Sequence, residues 1–301
     1  MHIFITGGTG LIGRSLIREL SDRGNKITVL TRDAIKARNV LKSSVDFYCS
    51  NLDALETLDG YDAVINLAGE PIVGKRWSER QKEVLCGSRW SITYRLSELI
   101  ENSTNPPQIF ISGSAVGYYG AQNGKILTEK SHPHDEFLHQ LCYKWEQLAT
   151  DSQSDKTRVC ILRTGIVLSK DGGMLPKMIL PFRFGLGSTF SRGDQYISWI
   201  HIRDMVDGIL FLLNNSNAKG MFNLTAPNPE TNRMFSRKLA SAMSRPCLFR
   251  LPKFLLKAIL GEISTMVVDG QRVIPENLLK SGYRFSYENL DNAFDEIFEH
   301  K

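Results

Sequence analysis

Met1-His2-Ile3-Phe4-Ile5-Thr6-Gly7-Gly8-Thr9-Gly10-Leu11-Ile12-Gly13 decides the fold: a strand-like stretch runs into a glycine turn, and the turn opens an amphipathic helix. Ile3 and Ile5 face one way and Phe4 the other. Leu11, Ile12, Leu16, Ile17 and Leu20 then recur at helical spacing until Gly24. A bare glycine run is weak evidence, but a strand before it and a helix after it make it a dinucleotide-phosphate site. Gly7 permits the tight turn, Gly10 lets backbone approach a pyrophosphate, and Gly13 lets the helix sit close to the strand. The unpaired N–H groups and dipole of the first helical turn hold the phosphates without a lysine. Thr9, Leu11 and Ile12, inside the run, join the three glycines as expected cofactor-binding positions.

The next strand, Lys26 to Thr31, ends where the adenosine ribose of a bound dinucleotide lies, and its last residues choose the cofactor. Asp33 stands about 20 residues beyond the glycine run, the separation of a ribose carboxylate in NAD proteins. Against it, Thr31 carries no charge to repel a phosphate and Arg32 follows directly. These residues favour NADP(H), with Thr31 beside the ribose and Arg32 clamping the 2′-phosphate by charge-assisted hydrogen bonds.

Strand-like runs recur at Val45 to Cys49, Ala63 to Leu67, Ile109 to Ser112 and Val159 to Leu162, separated by helical patterns that include Trp77 to Glu101 and Asp135 to Thr150. This alternation predicts an α/β fold, a Rossmann-type doubly wound parallel sheet with right-handed crossovers. The regularity fails after about Ser169. Residues 1–168 are therefore expected to form the cofactor domain, and residues 169–301 a smaller, mainly helical C-terminal lobe with some segments returning to the sheet.

Composition agrees with a soluble, enzyme-like chain. Its 301 residues are 42% hydrophobic and 23% charged, and the net charge of +5 includes no concentrated basic tract, which speaks against a nucleic-acid partner. No apolar run approaches the ~18 residues of a membrane span, and no cleavable signal is visible. Five scattered cysteines without a C-x-x-C pair fit a reducing, cytoplasmic compartment and no structural zinc. His201 has no companion at ligand spacing, so no metal is expected. A homodimer is the general expectation for such a chain.

Several phrases together resemble the short-chain dehydrogenase/reductase superfamily, in its extended, sugar-nucleotide-epimerase-like branch. Thr6 to Gly13 fits T-G-x-x-G-x-x-G, Asn66-Leu67-Ala68-Gly69 an N-A-A-G-like strand end, Ser112-Gly113-Ser114-Ala115 the serine strand, and His201-Ile202-Arg203-Asp204 the V-H-V-x-D segment. More closely, the chain is similar to the atypical "epimerase family" proteins. The phrases Asn66 to Ile72, Ser88-Arg89, Arg163 to Leu168, Trp199 to Ile202, Asn223 to Pro229 and Arg272 to Pro275 carry that likeness from end to end. The resemblance implies further cofactor contacts at Leu67, Ala68, Glu83, Arg89 and Val167. Arg89 is chemically suited to pair with a phosphate, whereas Glu83 sits among Glu79, Arg80 and Lys82 at salt-bridge spacing.

The catalytic machinery departs from the superfamily, whose enzymes pair tyrosine and lysine as Y-x-x-x-K on one helix face so that the ammonium tunes the phenol. Here Tyr143 and Lys144 are adjacent, about 100° apart on a helix, and Gln147 stands four residues after Tyr143. Ser114 remains at the position that polarises substrate oxygen, and is the expected catalytic residue. Tyr118 and Tyr119 lie just beyond it, and Glu70 stands in the loop after the Asn66 strand. Two readings follow: an NADP(H)-dependent oxidoreductase or epimerase-like enzyme for an unidentified small substrate, or a non-catalytic NADP(H)-binding sensor.

Overall fold

Seven parallel strands form the centre of the computed structural model, which describes residues 1–299. They are β1 (His2–Thr6), β2 (Lys26–Leu30), β3 (Phe47–Cys49), β4 (Ala63–Asn66), β5 (Ile109–Ala115), β6 (Arg158–Thr164) and β7 (Gly220–Leu224). Their order across the sheet is β7-β6-β5-β4-β1-β2-β3. The register places Ile3 beside Ile27 on one side and Ala63 on the other. The chain therefore reverses its direction of winding between β1 and β4, and ligands of such sheets bind outside the carboxyl ends of the strands at that point.

Strand alternation sorts the core into two layers. Ile3 and Ile5 face α1 (Leu11–Asp22), α2 (Ala34–Leu41) and α6 (Ile202–Asn214), packing with Leu16, Ile17, Ala37 and Ile209. Phe4, Val64 and Phe110 face α3 (Glu79–Glu101) and α4 (Phe137–Thr150), packing with Leu96, Leu99 and Ala149. Each fully buried leucine or isoleucine in these layers contributes roughly 1.5–3 kcal/mol. The doubly wound sheet expected from the alternation is the fold observed.

Two helix starts lie later than the sequence pattern suggests. Ser78 caps α3 by accepting from Gln81 N (3.2 Å), which leaves Trp77 in the preceding loop, buried against the ring of Phe137. The next, α4, starts at Phe137 after an extended Glu136. After β6 the chain builds a second core from Trp199, Phe235, Leu239 and Phe294, covered by α5 (Leu175–Arg183), α7 (Asn232–Ala242) and the helix Leu290–Glu299. Two short ribbons join it: Gly187–Phe190 beside Cys247–Leu251, and Tyr196–Ile197 beside Glu230–Thr231. Both α6 and β7 return to the central sheet.

Asp204 ties the C-terminal segment to the sheet. It lies in the first turn of α6 and is fully buried, accepting from Ser286 N (2.7 Å) and Tyr287 N (2.9 Å) while the Tyr283 hydroxyl donates to its backbone oxygen (3.0 Å). The helix itself is capped by His201, whose Nδ1 accepts from Arg203 N. On the other side of its ring, Nε2 meets Glu296 Oε2 at 3.0 Å. Replacing Asp204 by Ala strands two backbone donors and is expected to lower unfolding stability by about 2–4 kcal/mol, read from the urea midpoint.

Candidate functional site

Two positions of the glycine run admit no larger residue, Gly7 and Gly13. Gly7 takes a φ of +68°, and a Cβ there would lie 2.9 Å from Ala68 N and closer still to the Leu67 carbonyl. At Gly13 a Cβ would meet Gly8 Cα at 2.7 Å. Gly10 caps α1 without a side chain, and its N–H donates to Gly7 O (3.0 Å). No acidic residue stands in the first turn of α1, so its positive end faces the cleft uncompensated. Thr9 is exposed, while Leu11 and Ile12 are half-buried along the same edge.

The neighbouring strand ends are fixed from beneath by a polar chain. Thr6 Oγ1 donates to Asn66 Oδ1 (2.6 Å) and accepts from Ala68 N (3.2 Å), and Asn66 Nδ2 donates to Thr93 Oγ1 (2.8 Å). Thr93 also accepts from the indole of Trp145 (2.9 Å). Leu67 and Ala68 are thereby held half-exposed against the glycine turn. Val167 joins them from the short strand Ile166–Leu168: the turn at Gly173 packs between its carbonyl and Leu11.

At the end of β2 the carboxylate and the guanidinium have different surroundings. Asp33 Oδ1 accepts from Lys36 N (2.9 Å) and caps α2, which turns that oxygen toward the helix. Thr31 Oγ1 bonds the Asp33 backbone in turn. Arg32 is exposed, and among the described residues it has no carboxylate partner within salt-bridge distance. Arg32 and Arg89 lie near enough to Glu70 to help lower its pKa, although the hydrogen bond from Lys75 (2.8 Å) is the main cause.

Arg89 has a structural use in this arrangement. Its buried guanidinium donates to Glu70 O (2.9 Å) and Leu85 O (3.0 Å) and packs over Trp145, so it moulds the loop after β4. Glu83 stands six residues earlier on α3, faces solvent and makes no ion pair among the described residues. Its neighbour Lys82 pairs with Glu79 (3.1 Å) and Glu262 (2.8 Å).

Ser114 sits at the end of β5, buried, with its hydroxyl donated to Glu146 Oε1 (2.6 Å). Glu146 is the centre of a network that the sequence reading does not contain. Arg163 grips it through Nε (2.9 Å) and Nη2 (2.8 Å), and both side chains are almost wholly buried. Arg163 also stacks on the Tyr118 ring, 3.4 Å from its centroid, and donates to the Tyr119 hydroxyl (3.1 Å), which donates onward to Asn223 Oδ1 (2.7 Å). Burial opposes the charge on Arg163, but Glu146 outweighs it and raises the pKa above the usual range. Burial pushes the Tyr119 phenol up to about 12.

On α4, Cys142 and Glu146 share one buried face one turn apart, and both approach Ser114. Burial first, and the charge of Glu146 second, push the Cys142 thiol up to about 12. Tyr143 projects on the exposed face, where Gln147 Nε2 donates to its hydroxyl (2.8 Å). The sequence carried a signal for the network: an arginine ending the apolar strand Val159 to Leu162, and a glutamate within the Leu141, Trp145, Leu148 stripe of α4.

The sheet order and glycine cradle define a dinucleotide-binding α/β protein of the Rossmann class. A family model described as the NAD dependent epimerase/dehydratase family matches residues 3–225, and one described as a domain of unknown function matches residues 251–297. The chain belongs to the NAD dependent epimerase/dehydratase family, as the sequence phrases imply. An epimerase family protein of Staphylococcus epidermidis is 39% identical over 297 residues, 98% of each chain. The crystal structure of the human epimerase family protein SDR39U1 with NADPH is 32% identical, superposes with a TM-score of 0.91 and covers 100% of both chains. A nucleoside-diphosphate sugar epimerase from Corynebacterium glutamicum is 30% identical with a TM-score of 0.79, covering 100% of this chain and 59% of its own.

The buried network makes two measurable demands. Glu146→Ala leaves Arg163 charged and unpaired, with an expected loss of roughly 3–5 kcal/mol in urea unfolding. With its raised pKa, Cys142 stays a thiol at pH 8 and resists iodoacetamide until the protein is unfolded, which peptide mapping of alkylated cysteines reads directly.

Proposed function

We propose that the chain binds NADP(H) along the Gly7 to Gly13 edge and acts as an NADP(H)-dependent oxidoreductase or epimerase-like enzyme on an unidentified small substrate. The observation that carries the cofactor choice is the end of β2, where Asp33 caps a helix and Arg32 is left for a 2′-phosphate. The human relative whose structure contains NADPH supports it.

In this reading the first turn of α1 holds the pyrophosphate by backbone N–H groups, and Leu67 and Ala68 present backbone to the cofactor. When bound, the nicotinamide exchanges hydride at C4. Ser114, its own proton held by Glu146, offers lone pairs to a substrate hydroxyl and so orients the carbon that gives or takes hydride.

A specific observation favours a second reading, a non-catalytic NADP(H) sensor. The α4 residues beside Ser114 are a thiol held protonated and a carboxylate locked to Arg163, neither of which resembles a tyrosine tuned by lysine.

Fluorescence titration is expected to show tighter binding of NADPH than NADH, with Arg32→Ala weakening NADPH by about 10- to 100-fold, the loss of one or two hydrogen bonds to a charged group, and leaving NADH unchanged. Equal affinities sink the 2′-phosphate assignment. Turnover is read with carbonyl compounds and sugar nucleotides, net oxidoreduction at the nicotinamide absorbance and epimerisation, which returns the cofactor to its starting state, by product analysis: either change supports the enzyme, and tight binding with neither across the panel supports the sensor.

A further inference from the structure

The surface of the C-terminal lobe departs in composition from the rest of the chain. Residues 175–191 and 244–260 contain no Asp or Glu, and they carry Lys177, Arg183, Arg245, Arg250, Lys253 and Lys257. Among the described residues only Lys253 of these six has a carboxylate partner, Asp269 at 3.6 Å. The same stretches expose large apolar side chains, with Leu248 at 80% and Phe254 at 74%, and Phe184, Leu186 and Ile259 all more than half exposed.

These groups are brought together by the fold. The strand Gly187–Phe190 pairs with Cys247–Leu251, and the register shifts between Cys247 and Phe249, at Leu248. Phe184 and Leu186 lead into the first strand, and the second runs through Pro252 into α8 (Lys253–Leu260), which carries Phe254 and Ile259. Both flanking helices reach one loop: Lys177 of α5 donates to Val73 O (3.3 Å), and Arg76 donates to Ala258 O of α8 (3.0 Å). The patch therefore borders the loop that follows β4 at the cofactor edge.

We propose that this face docks on an anionic lipid bilayer, with the apolar side chains entering the headgroup boundary and the cations pairing with lipid phosphates. Projecting apolar residues interleaved with lysine and arginine, with Asp269 beside Lys253 as the one carboxylate paired to these cations among the described residues, are the composition that such an interface takes. Charge complementarity also selects against a second copy of the chain. A two-fold contact through this face sets six cations against six. The contact is peripheral: among the described residues no helix is long and apolar enough to cross a membrane. It stands independently of the cofactor reading.

Co-sedimentation with vesicles tests it. The protein is expected to pellet with phosphatidylcholine vesicles containing phosphatidylglycerol, to stay in solution with phosphatidylcholine alone, and to be released by high salt. Leu248→Asp with Phe254→Asp, and separately Lys253→Glu with Lys257→Glu, are each expected to cut the bound fraction by at least about tenfold, two surface cations being enough for that. Unchanged far-UV circular dichroism and thermal midpoints show that the variants remain folded. Failure to pellet with the anionic vesicles overturns the proposal. So does equal pelleting with neutral ones, charge reversal without effect, or a homodimer in solution that Phe254→Asp converts to monomer.

Discussion

The buried Glu146–Arg163 pair is the constraint on which the inner half of the cleft depends. Taking both charges out of water costs several kcal/mol each, and only a bidentate geometry with every other donor satisfied offsets that. The network meets this condition by recruiting Ser114 from β5, Tyr118 and Tyr119 from the turn after it, and Asn223 from β7. One ion pair thus joins α4 to three adjacent strands. It sets the position of the serine and removes the freedom of its proton.

The outer half of the cleft depends on backbone. Gly7 and Gly13 bring β1, α1 and the Leu67–Ala68 strand end closer together than any side chain allows. The Thr6–Asn66–Thr93–Trp145 chain carries that alignment into α3 and α4. Arg89 belongs to the same support, since its donors are spent on carbonyls of the loop. The resemblance implies a contact between it and the cofactor, and in the structure its guanidinium holds the loop after β4.

The sheet was legible because strand alternation and helical periodicity are local, and right-handed crossovers then leave few topologies. The glycine cradle was legible for the same reason: its steric logic is contained in seven consecutive residues. The competition between Arg32 and Asp33 was not, because a carboxylate's availability depends on which N–H it accepts, and Asp33 caps a helix whose start the pattern leaves unmarked. The hydrogen-bond partner of Ser114 was not legible either. A strand-end serine reads as a donor to substrate, whereas its proton goes to a glutamate 32 residues away in another layer. Pairing across layers leaves only a faint trace in sequence, here a polar residue inside an apolar stripe.

The glycine edge and the Ser114 network stand on separate elements of this fold, so either can change without the other. The glycine edge belongs to β1 and α1, where a side chain at Gly7 or Gly13 would collide with backbone. The buried face of α4 that approaches Ser114 carries Cys142 and Glu146. The first is a neutral thiol and the second a carboxylate gripped by Arg163. A cleft built this way positions a cofactor firmly. Ser114 and Glu146 meet there in one short hydrogen bond, and Arg163 holds the carboxylate in place.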